Sequence, residues 1–148
     1  MLKAIIHVGI TVSNMERSLA FYRDILGLNF QGELFMEGEA TEKLFRKKGC
    51  KAKVAYLNGS DNLVAPPVEL IQFLPLVDKN TNANLFTPSI SEICFEVASL
   101  EKEYLRLKNA GVEFLSEPQD FDFTLAGFGK SRAVYFKDPD GIILELLE

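Results

Sequence analysis

The chain has 148 residues, 47% of them apolar and 25% charged, and its formal net charge is -5. This size and composition predict one compact domain with a buried core, and they exclude a disordered or low-complexity chain. The acidic balance argues against nucleic-acid and anionic-membrane partners, because both require a cationic surface. No apolar run approaches the roughly 20 residues of a membrane-spanning helix, and no signal-peptide core precedes His7. The two cysteines have no C-x-x-C spacing, so we expect a reduced, cytoplasmic protein.

The first half of the chain predicts a strand, a helix and further strands. Apolar residues alternate from Ile6 to Val12, which is the pattern of a strand with one buried face. Ser13 is the expected N-cap of the following helix, and Gly27 is expected to end it. The remaining predicted elements of this half are strands at 52–57 and 67–74 and a short helix around 40–46, within an irregular stretch at 36–50.

The second half predicts the same order. Alternation from Ile93 to Val97 indicates a strand, in which we expect Cys94 to be a buried, inert thiol. Ser99 is the expected N-cap of a helix that ends at Gly111. Further strands are predicted at 112–115, 132–137 and 142–147, the last two joined by a hairpin turn at 138–141, and the stretch 121–130 is predicted to be a partly mobile loop.

The two halves resemble each other in sequence. With a shift of 85 positions Val12 matches Val97 and Met15 matches Leu100, and Gly27 then matches Gly111 after one deletion. Each half therefore predicts a βαβββ module, the first about 1–76 and the second about 90–148, with a linker at about 77–89. The predicted fold class is α+β within a single domain, 1–148. Pseudo-twofold pairing of the modules would form an incomplete β-barrel-like cleft with the helices outside.

Four polar residues interrupt the apolar strands. His7 and Glu92 lie at matching positions of the two halves, and Glu69 and Glu145 match in the same way. A carboxylate in an apolar strand is costly unless it is paired, protonated or bound to a cation. Convergence of the four in one cleft would make a metal site of one imidazole and three carboxylates. The alternatives are a hydrogen-bonded structural His7 and a Glu145 at the rim or at an interface.

The chain resembles the vicinal oxygen chelate superfamily, which includes glyoxalase I, methylmalonyl-CoA epimerase, fosfomycin-resistance proteins, extradiol dioxygenases and bleomycin-resistance proteins. The resemblance spans essentially the whole chain and is closest to the glyoxalase I-like members. It depends on the segments 7–15 (HVGITVSNM), 21–28 (FYRDILGL), 68–70 (VEL) and 136–141 (FKDPDG), continuing to Glu145–Leu146.

The resemblance implies a divalent metal ion, Mn, Mg, Ni or Zn, held by His7, Glu69, Glu92 and Glu145. Glu92 departs from the family pattern, because metal-binding members usually carry a second His there and this chain has only one. The departure counts against extradiol dioxygenase chemistry and against the fosfomycin-resistance type. Three carboxylates favour a harder ion, Mn²⁺ or Mg²⁺, over Zn²⁺.

The resemblance also implies lyase or isomerase chemistry next to a carbonyl, through a metal-stabilised enediolate. The reaction would be like that of lactoylglutathione lyase or of an acyl-thioester epimerase. Glu145 is the expected proton-transferring base, Glu69 the second choice, and Glu92 also remains open. For the substrate, we expect Arg132 and Lys130 to hold an anionic group, with Phe123 and Phe128 beside it.

The alternative function is a metal-free small-molecule-binding protein of the bleomycin-resistance type. In that case Glu92 marks the loss of the metal, and phenylalanines line an apolar ligand cavity. Under either function we expect a small-molecule ligand and a homodimer, since the open edges of short sheets favour pairing. The phenylalanines concerned are Phe73, Phe121, Phe123 and Phe128.

Overall fold

A computed structural model describes residues 5–59, 67–75, 86 and 90–148. The chain divides into two compact units, Met1–Asn80 and Thr81–Glu148. Apart from Phe86, the predicted linker lies outside the described residues. Among the helices that are described, none has both the length and the hydropathy needed to cross a membrane.

The first unit contains one four-stranded sheet with the strand order β1-β4-β3-β2. Strand β1 runs parallel to β4, and the other neighbours are antiparallel. One face of this sheet buries Ala55, Leu57 and Leu70, and the other face buries Val54. The elements of the unit, in chain order, are β1 (Val8–Thr11), α1 (Met15–Leu19), a π-helical segment (Ala20–Ile25), β2 (Asn29–Met36), α2 (Glu39–Leu44), β3 (Lys51–Asn58) and β4 (Val68–Leu74).

The second unit repeats this arrangement, with the strand order β5-β8-β7-β6 and β5 parallel to β8. Helix α3 buries Leu100, Tyr104 and Leu107, which recur at helical spacing on one face. The elements of the unit, in chain order, are β5 (Ile93–Glu96), α3 (Leu100–Asn109), β6 (Gln119–Phe123), a 3-10 turn (Thr124–Ala126), β7 (Gly129–Lys137) and β8 (Ile143–Leu147). Apart from α2 and the short turn, both units follow the predicted βαβββ order, and neither sheet closes into a barrel, so the α+β prediction is confirmed.

The predicted N-cap Ser13 was wrong, and Ser99 is confirmed as the N-cap residue but not as a capping acceptor. The cap of α1 is Asn14, whose side-chain oxygen accepts from the backbone N–H of Arg17 at 2.9 Å. Ser99 does occupy the N-cap position of α3, but its hydroxyl makes no capping bond there. The free N–H of Leu100 donates instead to Oε2 of Glu148 at 2.7 Å. A carboxylate is a stronger acceptor than a hydroxyl for these amides, and it also suits the positive end of the helix dipole.

Three further predictions were wrong. The stretch 112–115 contains only an isolated bridge between Phe114 and Phe136. The stretch 121–130 is a hairpin formed by β6, the short turn and the start of β7. Cys94 is exposed as a residue, because strand alternation places it on the face opposite Ile93 and Phe95, although its thiol is partly desolvated. The hairpin at 138–141 is confirmed: backbone N–H groups of Asp140 and Ile142 both donate to Oδ1 of Asp138 at 2.8 Å.

Candidate active site

Glu69 is a buried carboxylate in the middle of the first sheet. Glu69 is 9% exposed, and the β-sheet register places it beside Gly9 of β1 and Tyr56 of β3. The Tyr56 hydroxyl donates to Oε1 at 2.6 Å, and Nε2 of His7 lies 3.3 Å from Oε2. The three side chains therefore form one polar cluster on a largely apolar sheet.

The hydrogen bond to Glu69 is the main reason why the pKa of Tyr56 is raised to about 12, and burial and the negative charge of Glu69 add to it. The hydroxyl therefore stays protonated and able to donate throughout the neutral pH range. The rings of His7 and Tyr56 are tilted against each other, with their centroids 6.1 Å apart. Each carboxylate oxygen of Glu69 has a different neighbour, since Oε1 contacts Tyr56 and Oε2 lies beside His7.

Gly9 leaves the space that the Glu69 carboxylate occupies. A Cβ atom at this position would lie 3.3 Å from Oε2 of Glu69 and 3.5 Å from Cδ1 of Ile71. The first distance is tighter than an ordinary van der Waals contact. The absence of a side chain at Gly9 is therefore part of the local geometry of the site.

Glu145 is the equivalent carboxylate of the second sheet. It pairs in register with Cys94 of β5 and Tyr135 of β7. The pKa of the Cys94 thiol is raised to about 12, first by desolvation and then by its hydrogen bond to Glu145 and the charges of Glu145 and Glu92. Partial burial and the same two carboxylates also raise the pKa of Tyr135. The charges of Glu92 and Glu145 therefore raise the pKa values of the same two groups, Cys94 and Tyr135.

Tyr56, which donates to Glu69 from the neighbouring strand, is a site residue that the sequence analysis missed, and Tyr135 is its register equivalent in the second sheet. Tyr56 and Tyr135 hold the same register relative to Glu69 and Glu145. The connections β3–β4 and β7–β8 differ in length, so no fixed spacing along the chain marks the two pairs. The available signal was a tyrosine on the antiparallel neighbour of each glutamate strand in both halves.

The structure brings His7 together with Glu69 in the first unit, and Glu92 and Glu145 act on common neighbours in the second. Within either unit taken by itself, the described residues contain no group of three or more His, Cys, Asp or Glu that is arranged to hold a metal ion.

The expected substrate-binding residues lie on the β6–β7 hairpin of the second unit. Nε of Arg132 is 2.7 Å from Asp120, and Nζ of Lys130 is 3.7 Å from Asp122. The ring of Phe123 stacks on Phe121 with a centroid distance of 5.6 Å. Two of the four expected residues, Lys130 and Arg132, line an open depression of about 500 Å³, together with Asp120, Phe121, Ser131 and Glu148.

Phe128 and Phe73, two of the phenylalanines expected to line a ligand cavity, are not among the residues that line this depression. Phe128 is 85% exposed, beyond the short turn that precedes β7. In the first unit, Phe73 packs edge-to-face against Phe45, with a centroid distance of 4.9 Å. The β6–β7 hairpin therefore has an exposed aromatic surface, formed by Phe121, Phe123 and Phe128.

Two relatives match over essentially all of this chain. It is 32% identical over 148 residues to the uncharacterized protein YwkD of Bacillus subtilis, covering 100% of this chain and 98% of that protein. It is also 30% identical over 148 residues to the metallothiol transferase FosB of Staphylococcus epidermidis, covering 99% of this chain and 84% of FosB.

Solved structures share the fold. A glyoxalase family protein from Bacillus cereus superposes with a TM-score of 0.83 at 22% identity, over 100% of this chain and 95% of that chain. The glyoxalase I of Leishmania major gives a TM-score of 0.67 at 18% identity, over 99% and 87%. The family model described as Glyoxalase/Bleomycin resistance protein/Dioxygenase superfamily matches residues 4–146. This match covers nearly the entire chain, and the protein therefore belongs to the glyoxalase/bleomycin resistance protein/dioxygenase superfamily.

Proposed function

We propose that this protein is a metal-dependent lyase or isomerase that acts next to a carbonyl, of the lactoylglutathione-lyase or acyl-thioester-epimerase kind. The observation that carries the proposal is the buried Glu69 carboxylate held between Tyr56 and His7. An imidazole and a carboxylate side by side are suitable donors for a divalent cation.

The cation ligands in this proposal are His7, Glu69, Glu92 and Glu145. Their donor chemistry fits a divalent ion, and three carboxylates favour Mn²⁺ or Mg²⁺, with Ni²⁺ and Zn²⁺ as further candidates. When bound, the cation supplies positive charge that orients the substrate oxygens and stabilises an enediolate.

Glu145 is the proposed proton-transferring base. Its register partner on β5 is Cys94, whose thiol is a weak donor. Both oxygens of Glu69, in contrast, already face a Tyr or His side chain. Glu145 would take the proton from the carbon next to the carbonyl and return it to the carbonyl carbon, while the hydroxyl proton passes to the former carbonyl oxygen, which completes an isomerisation. Glu69 is the second candidate, and epimerisation would use it to return the proton on the opposite face.

The proposed substrate-binding residues are Arg132, Lys130, Phe123 and Phe128. Both cationic side chains are close to aspartates, so an anionic substrate group has to compete with an existing ion pair. The name of the FosB relative supports a thiol-containing reactant and a metal ion. We also propose a homodimer, because the sheets end in edge strands, β1 and β2 in the first and β5 and β6 in the second. A cytoplasmic location is proposed as well, because both cysteines are free thiols.

A metal-free small-molecule-binding protein is the second candidate function. Phe121, which lines the open depression, and Phe123, stacked on it, are both about half exposed and favour it. Glu92 in place of a second histidine favours it as well. Under this function a ligand binds equally well with and without a chelator.

The test combines metal analysis with proton exchange. Tag-free protein is expected to retain about one divalent ion per chain after dialysis and to exchange the substrate α-proton with solvent deuterium. Hemithioacetals and acyl thioesters are the substrates to compare. Glu145→Gln should lower the exchange rate by about 100-fold or more. Glu33→Gln, which changes an exposed glutamate of β2, is the matched control. Protein that binds none of Mn²⁺, Mg²⁺, Ni²⁺ and Zn²⁺ and exchanges no proton would refute the proposal.

A further inference from the structure

Two acidic side chains, Glu69 and Asp138, are buried among the described residues. Asp138 accepts backbone N–H groups of its own turn, so the hairpin accounts for its burial. Glu69 is held by Tyr56 of β3 and by His7, which immediately precedes β1. Its burial therefore requires an explanation beyond local structure.

Tyr56 provides the shorter of the two contacts. It faces Glu69 directly across the antiparallel β3–β4 pair, so the strand backbones fix the distance between the two side chains. The hydroxyl donates to Oε1 at 2.6 Å, which is in the range of strong hydrogen bonds to a carboxylate. A carboxylate anchored at one oxygen has little freedom to rotate, and Oε2 is then left on the side of His7.

We propose that Tyr56 is a positioning residue, which holds Oε1 of Glu69 so that Oε2 and the His7 imidazole are preassembled as a pair of donors. The inference rests on the proposed function only in taking this pair as cation ligands. Tyr56 itself touches neither the cation nor the substrate.

The second sheet contains a matched control. Tyr135 holds the same register relative to Glu145, and its interaction with that carboxylate is electrostatic. The register partner of Glu145 on the parallel strand is Cys94, at the position where the first sheet has Gly9. Removal of the Tyr135 hydroxyl should therefore leave Glu145 where it is.

The test compares Tyr56→Phe with Tyr135→Phe by two measurements. The chain has a single histidine, so the imidazole ¹³C and ¹⁵N resonances of metal-free protein, at one fixed pH, report on His7 alone. Tyr56→Phe is expected to shift these resonances and to weaken Mn²⁺ binding by about 10-fold, the usual scale for loss of a group that orients a metal ligand. Tyr135→Phe should leave both measurements at their wild-type values.

Two results would overturn the inference. One is an unchanged His7 spectrum together with unchanged Mn²⁺ affinity in Tyr56→Phe, and the other is an equal response in both variants. If wild-type protein binds no Mn²⁺, the proposed function fails, while the His7 spectrum still decides the role of Tyr56. If Tyr56→Phe does not fold, the wild-type spectrum decides: a slowly exchanging Tyr56 hydroxyl proton supports the inference, and its absence contradicts it.

Discussion

Gly9→Ala is expected to disturb the Glu69 cluster although it adds only one methyl group. The new Cβ would lie 3.3 Å from Oε2 of Glu69, and Cδ1 of Ile71, at 3.5 Å, closes the other side. The carboxylate must therefore move by a few tenths of an ångström, away from the position that it shares with His7. If a misplacement of about 1 Å costs about 100-fold in rate, a shift of about 0.3 Å costs roughly fourfold in proton exchange.

Gly59→Ala is the control, because its Cβ would meet only Cδ2 of Leu28 at an ordinary 3.8 Å. Neither glycine has a positive φ, so both substitutions remove a similar amount of chain entropy from the unfolded state. Gly59→Ala is expected to raise the free energy of unfolding by about 0.4–1 kcal/mol. In Gly9→Ala the close contact should cancel this gain.

The assay for both variants is urea unfolding, together with the His7 imidazole spectrum and Mn²⁺ titration. Gly9→Ala should shift the His7 resonances and weaken Mn²⁺ binding, and Gly59→Ala should do neither. The reasoning is refuted if Gly9→Ala is stabilised as much as Gly59→Ala and its His7 resonances do not move.

The remaining predictions concern the thiol, the core and a helix cap. With a pKa of about 12, Cys94 is protonated at pH 8 except for a thiolate fraction of about 1 in 10,000, so iodoacetamide should alkylate it slowly. Glu145→Gln, in the presence of a chelator, should speed the alkylation because it removes a negative charge; an unchanged rate contradicts this. Leu144→Ala, at a fully buried position, should lower the free energy of unfolding by about 2–5 kcal/mol in urea titration. Glu148→Ala should cost about 1 kcal/mol in the same assay, whereas Ser99→Ala should cost less, since its hydroxyl caps nothing; equal losses would argue against the Glu148 cap.

Hydrophobic periodicity was sufficient to predict most of the fold. Apolar alternation and helical spacing are properties of neighbouring residues, so they are readable along the chain. The helix ends at Gly27 and Gly111 are confirmed by φ values of 82° and 84°, which residues without a Cβ adopt readily. The missed strand β6 shows the limit of the method: all five of its residues are exposed, so burial imposes no pattern on its sequence.

The candidate site could be predicted in part. Glu69 was singled out because a charged residue interrupts an apolar strand, and its burial together with the His7 contact agrees with that reasoning. Cys94 was misassigned because an apolar run does not tell which face of a strand is covered. The role of Tyr56 was missed, since a tyrosine in a strand is compatible with ordinary core packing.

The amino-acid sequence by itself determined the order of the elements, the two similar halves and the superfamily, because each depends on local pattern or on recognisable segments. Only the tertiary structure decided which side chains hold Glu69 and Glu145. Those partners depend on cross-strand register and on the residue that pairs with each glutamate on the parallel strand, which is Gly9 for Glu69 and Cys94 for Glu145. Register follows from the packing of the whole sheet, so residues far apart along the chain become hydrogen-bond partners only after the strands have paired.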